Sequence, residues 1–299
     1  MEQVGILEKI ISKLCFMEEL RNCQEDHAAD LTKIYETLND KAGMKYSLLK
    51  DIILDQLLRA ISTSKEEQVI RESVSTLSII ISKNRSVIED IKRKGLQLNH
   101  LATALKRNVH EAAILIYLIN PTPVEIQMLE ILPCLLDVIC TSNSYKGMLT
   151  SLLLTPPAAS LMIIEVLVTA HDYTTNNLHL SAISSPRVLS GLLDAPRNNN
   201  LEEIIALASV LVRCMQFDGK CRKHISHLSP PVAPFITLLS SNSKRATSIA
   251  LEYFHELLCI PRKFRSVILN LKSLTNNLSI YLIFKSELSE EKLELTNSH

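Results

Sequence analysis

Long, strongly apolar stretches alternate along this chain with short polar turns, and the alternation recurs. Five candidate helices carry the apolar signal: KEEQVIRESVSTLSIIIS (65–82), NVHEAAILIYLIN (108–120), AASLMIIEVLVTA (158–170), NLEEIIALASVLVRCMQ (200–216) and SKRATSIALEYFHELLC (243–259). They are too apolar for lone surface helices, so each needs neighbours on both sides. Ahead of each stands a shorter phrase of paired apolar residues that runs into a polar turn: QLLRAISTS (56–64), HLATALKRN (100–108), CLLDVICTS (134–142), RVLSGLLDA (187–195) and FITLLSSNS (235–243). Such a phrase closes one helix and opens the turn to the next.

The four intervals from Ile61 to Leu239 average about 44 residues. That period falls in the roughly 40–47-residue range of two- or three-helix solenoid repeats of the armadillo or HEAT kind. The expected fold is therefore all-α, a right-handed α-α superhelix of five to six repeats over residues 1–261, followed by a divergent tail or atypical cap over 262–299. Asn198 to Asn200 before Leu201, and Ser241 to Ser243 before Lys244, supply side chains that can cap a helix start. The interval from Ile139 to Leu192 is longer, and its excess in NSYKGMLTSLLLTPPAAS reads as an inserted loop.

Composition agrees with a helical protein and narrows the partners. Of 299 residues 46% are hydrophobic, with 6 Gly, 11 Pro and no Trp, a pattern poor in the aromatics and turn residues of all-β folds. Lys plus Arg and Asp plus Glu stand at 32 each, so the whole-chain charge gives no reason to expect nucleic acid or an anionic membrane. The N-terminal stretch MEQVGILEKIISKLCFMEELRNC lacks the layout of a secretory signal. The apolar stretch 149–170 contains Pro156, Pro157 and Glu165, which argues against a membrane-spanning helix. Seven cysteines, mostly in apolar runs and without a CxxC, read as buried small hydrophobes of a reducing compartment, cytoplasmic or nuclear.

Motifs that would carry chemistry are incomplete. The glycines are isolated and open no phosphate-binding loop. His110-Glu111 and His255-Glu256 resemble the start of a zinc-protease helix, but Ile114 and Cys259 stand where the second His belongs. Cys214, Cys221, His224 and His227 form the densest Cys/His group, with spacings that match no zinc ligand set. No cysteine is paired with a base that would make it a ubiquitin-accepting nucleophile. The expectation is no catalytic residue, no metal and no cofactor. Basic clusters at Lys92 to Lys94, Lys106-Arg107, Lys220 to Lys223 and Arg262 to Arg265 lie at repeat junctions without interleaved aromatics. They read as a solvated face rather than a nucleic-acid track.

The segments EIIALASVLVRCMQFDGKCRKHI (203–225), RESVSTLSIIISKNRSVIEDI (71–91) and KRNVHEAAILIYLI (106–119) resemble the third helix and following turn of armadillo repeats in plant U-box proteins. The longer runs 94–147, NLHLSAISSPRVLSGLL (177–193) and LEEIIALASVLVRCMQFDGKCRKHIS (201–226) narrow the resemblance to the armadillo-like region of plant ubiquitin ligases of the LIN or CERBERUS type, over about residues 10–261. That family joins this region to a U-box and a WD-repeat propeller. Neither module is visible here, the propeller because it needs recurring Trp. The resemblance implies a non-catalytic protein-interaction module that recruits a substrate or partner for a ubiquitin ligase. The alternatives are ligase activity in its own right and a self-associating scaffold. Importin-type armadillo proteins hold peptides with an Asn ladder on the third helix, and at the matching positions stand Ile79, Leu118 and Cys214. These imply an apolar concave groove that would take a partner helix or another domain.

Overall fold

The structure, a computed structural model, describes residues 26–39, 44–141, 154–170, 173–194, 200–227, 233–239 and 241–258. The N-terminal helix pattern, the core of the expected insertion, Cys15, Cys23, Cys259 and the segment 262–299 lie outside these residues.

Fifteen helices run through the described residues, with no strand among them, and they group into five triples. The first holds α1 (Asp26–Asn39), α2 (Met44–Thr63) and α3 (Glu67–Lys83); the second α4 (Val87–Arg93), α5 (Leu98–Lys106) and α6 (Ala112–Ile119). The third holds α7 (Pro123–Met128), α8 (Leu132–Cys140) and α9 (Pro156–Thr169); the fourth α10 (Tyr173–Ile183), α11 (Pro186–Asp194) and α12 (Leu201–Phe217). The fifth holds α13 (Gly219–His227), α14 (Ala233–Leu239) and α15 (Lys244–Leu258). Every recurring phrase begins inside the second helix of a triple. Every long apolar stretch is a third helix. This is an α-solenoid of three-helix repeats.

Local chemistry sets the helix boundaries. The Asn200 side chain accepts the Glu202 N–H at 3.1 Å and starts α12, and the Ser243 hydroxyl accepts the Ala246 N–H at 3.3 Å and starts α15. Thr155 does the same for α9 by accepting the Ala158 N–H at 3.3 Å. Pro156 follows it at the first helical position, where a missing N–H costs nothing. Thr122 and Glu125 form a reciprocal box at the start of α7, the Glu125 carboxylate accepting the Thr122 N–H at 2.7 Å. At the end of α4 the chain turns through Gly95 at φ 92°, which lets the Leu96 N–H reach back to the Ile91 carbonyl at 3.1 Å.

Packing divides the chain into two compact units, Met1–Leu167 and Val168–His299, with the boundary inside α9. In the first unit α3 packs on α1, α2 and α6; in the second α12 packs on α10, α13, α14 and α15. Packing of one third helix against another thus occurs in each unit, α3 on α6 and α12 on α15. It explains why Glu203 to Val212 of α12 are all buried, and why Ile70, Val74, Leu77, Ile80 and Ile81 of α3 are each at most 1% exposed. The second unit adds an aromatic cluster, Phe235 and Tyr253 with ring centroids 4.2 Å apart and Phe254 beyond.

Polar ties cross the repeat junctions. Arg71 of α3 pairs with Glu111 at 3.3 Å, and Arg107 donates to the carbonyls of Ser64, at 3.1 Å, and Lys65. Lys94 sits between Asp51 at 3.2 Å and Asp55 at 2.9 Å. In the second unit Arg245 pairs across a junction with Glu202 at 3.4 Å, while Arg222 pairs within the fifth triple with Glu256 at 2.6 Å. Leu207 is fully buried in α12. The expected cost of Leu207→Ala is about 2–5 kcal/mol, because removing a packed side chain leaves a cavity, whereas Asn200→Ala should cost about 1 kcal/mol through loss of one cap. Urea titration of the two variants followed by circular dichroism checks that ordering.

Candidate interaction surface

The third helices carry the three residues expected to line a groove, and the structure separates their fates. Ile79 is half-buried on α3. Leu118, on α6, is 8% exposed, and Cys214, on α12, is 0% exposed. Cys214 and Leu118 are buried core residues, while Ile79 keeps part of its surface. The positions left open on third helices are mostly polar. On α3 they include Glu72, Ser75, Ile79 and Ser82; on α12 Arg213 and Gln216; on α15 Glu252 and His255.

Register explains the difference. One residue along an α-helix is a rotation of about 100°. Half-buried Tyr117 directly precedes Leu118, and exposed Arg213 directly precedes Cys214. A helix covered on several sides leaves only a narrow open stripe, so a one-residue shift exchanges solvent for core.

The candidate chemical residues are also placed. Glu111 is committed to Arg71, and burial holds the His110 imidazole below its usual range despite the carboxylates of Glu111 and Asp137. Glu256 is buried and takes the Arg222 guanidinium, while His255 beside it is exposed. The Cys221 thiol donates to the Ser184 carbonyl at 3.8 Å. Burial pushes the Cys214 thiol up to about 12 and raises that of Cys134. Both thiols are therefore protonated at neutral pH, the wrong state for attack on a thioester. Among the described residues no three His, Cys, Asp or Glu side chains gather as a metal site, and no helix is long and apolar enough to cross a membrane.

Sequence reasoning passed over the specific work of the basic clusters. Arg107, Lys94 and Arg222 each reach a partner at a sequence separation of 34 to 43 residues. The signal available for finding them was their recurrence at repeat junctions.

Comparison with known proteins places this arrangement. One family model, described as "E3 ubiquitin-protein ligase LIN-like, ARM repeat", matches residues 1–165. A second, described as "Putative E3 ubiquitin-protein ligase LIN, ARM-like domain", matches residues 166–289. Their boundary lies two residues from the division between the compact units at 167/168. The C-terminal segment, expected to leave the family after 261, falls within the second match as far as 289. The chain is 27% identical over 260 residues to "Putative E3 ubiquitin-protein ligase LIN-1" of Lotus japonicus, covering 87% of this chain and 17% of that one. It is 24% identical over 264 residues to "Putative E3 ubiquitin-protein ligase LIN" of Medicago truncatula, covering 88% and 17% respectively. It thus spans about one-sixth of the length of these relatives. Among solved structures it is similar to a designed armadillo repeat protein, YIII(Dq)4CqI, with a TM-score of 0.45 and 16% identity over 82% of this chain and 99% of that one.

The burial of the thiols gives a direct test. Brief iodoacetamide treatment of the folded chain at mild alkaline pH should leave Cys214 and Cys221 unmodified, and the same treatment in urea should alkylate both. Peptide mapping by mass spectrometry reads the result, and rapid native labelling of Cys214 would contradict the described packing.

Proposed function

The chain belongs to the LIN-type E3 ubiquitin-protein ligase family through its ARM repeats, and from that premise we propose that it is a non-catalytic module that recruits a protein partner or substrate to a ubiquitin ligase. The observation that carries this reading is the open row on α3. Glu72, Ser75, Ile79 and Ser82 remain accessible on a helix whose other faces are packed. A row held by a rigid, stacked helix is pre-organised, and binding to it costs little ordering of the array itself. One apolar position among polar ones suits a partner segment that supplies a single apolar anchor and hydrogen-bonding groups around it.

The protonated thiols of Cys214 and Cys134 support the non-catalytic half of the reading. The compartment we propose is the cytoplasm, the nucleus or both, in line with free thiols at Cys134, Cys140, Cys214 and Cys221.

Two experiments test the two halves. Purified chain incubated with ubiquitin, activating enzyme, conjugating enzyme and ATP should form no ubiquitin chains; robust chain formation would replace the recruitment reading with ligase activity. Separately, a partner identified by proximity labelling in plant cells should lose about tenfold or more in affinity on the double change Ser75→Arg and Ile79→Asp. It should be unaffected by Leu48→Ser, which alters an exposed position on α2. Equal binding by all three forms would remove the α3 row as the site.

A further inference from the structure

Cationic side chains of the second unit collect at one corner. Helix α12 ends at Phe217 and α13 begins at Gly219, so Asp218 alone separates them. Arg213 and Phe217 are exposed one turn apart on α12, Phe217 at 40%. Lys220, Lys223 and His227 are exposed on α13 at spacings of three and four residues, which places them on one stripe. Arg222 joins the two helices by donating to the Met215 carbonyl at 3.5 Å, and it also takes Glu256 at 2.6 Å.

Acidic residues are sparse along this stretch of sequence. Asp218 is the single acidic residue between positions 213 and 227. It is half-buried and its carboxylate accepts the Lys220 backbone N–H at 2.8 Å. Glu256 is used by Arg222 inside the fold. Arg213 donates to the neutral Gln216 at 3.3 Å, and no carboxylate pairs with the Lys220 ammonium among the described residues. An exposed aromatic residue therefore lies in sequence between exposed cations of both helices, in a chain whose formal net charge is +0.

We infer that this corner docks an acidic segment of a partner protein, with Phe217 receiving an apolar side chain from that segment. The inference rests on the reading of the chain as a protein-binding module. Lys220 to His227 spans about 10 Å along α13, and an extended segment of about three residues covers that stripe. Nucleic acid fits less well, because a strand needs a longer basic track and several stacking aromatics, and Phe217 stands alone.

Fluorescence anisotropy tests the assignment with the full chain and a labelled peptide of Asp and Glu residues carrying one central Leu. Saturable binding should appear at low salt and weaken as salt rises. The double change Arg213→Glu and Lys220→Glu should weaken it by about tenfold or more. Phe217→Ser should weaken binding of the Leu peptide several-fold and leave binding of a Gly-substituted peptide unchanged. All three positions are exposed, and matching thermal melts confirm that the variants fold. Absence of saturable binding, equal affinity for the charge-reversed variant, or tighter binding of a short single-stranded oligonucleotide would each overturn the inference. None of these outcomes touches the α3 row, which the Ser75 and Ile79 substitutions test independently.

Discussion

Within each unit the packing of one third helix against the next is the contact on which the remaining structure rests. Helix α12 shows why. Ten consecutive residues, Glu203 to Val212, are buried, which no isolated amphipathic helix could sustain in water. The run is stable only because α10, α13, α14 and α15 cover it together. A repeat of this kind cannot fold alone, and its stability is shared with its neighbours. Short first helices such as α7 and α13 then serve mainly to turn the chain so that the next third helix arrives in place.

Polar ties at the junctions act on a different scale. An exposed ion pair such as Arg245 with Glu202 contributes little to stability, because water screens it and the side chains lose freedom. Its sequence separation of 43 residues points to a role in registry between successive repeats. Arg222 with Glu256 differs, since the Glu256 side chain is only 9% exposed. Removing the guanidinium there would leave a buried carboxylate without its partner, which is costly. The same arginine holds α13 to α12, so one side chain fixes both a junction and the corner around Phe217.

Much of the fold was legible because periodicity survives translation into packing. The phrases at 56–64, 100–108, 134–142, 187–195 and 235–243 each marked a second helix, and Asn200 and Ser243 cap the helices they precede. Side-chain orientation was less legible. Leu118 and Cys214 were placed in a groove by family position, yet on a helix packed from several sides the open stripe is narrow. Hydrophobicity could have warned of this, since Leu and Cys are among the residues most often buried. The junction partners of Arg107 and Lys94 were hidden for another reason: each lies about one repeat away, and composition carries no information about contacts at that distance.

The packing that makes the array also limits what chemistry it can hold. Burying third helices takes their polar groups out of water, and a thiol so buried is driven toward its neutral form, as Cys214 is. Nucleophilic catalysis needs the opposite environment, exposed and electropositive. Side chains able to act on another molecule must therefore sit where the stack leaves surface: on the narrow stripes of third helices and at the corners between repeats. Ser75 and Ile79 occupy the first kind of place, and Arg213, Phe217 and Lys220 the second. Both kinds are held by helices rather than loops, so a partner would meet a surface already in its binding geometry. In such a solenoid, recognition is a property of the gaps in its own packing.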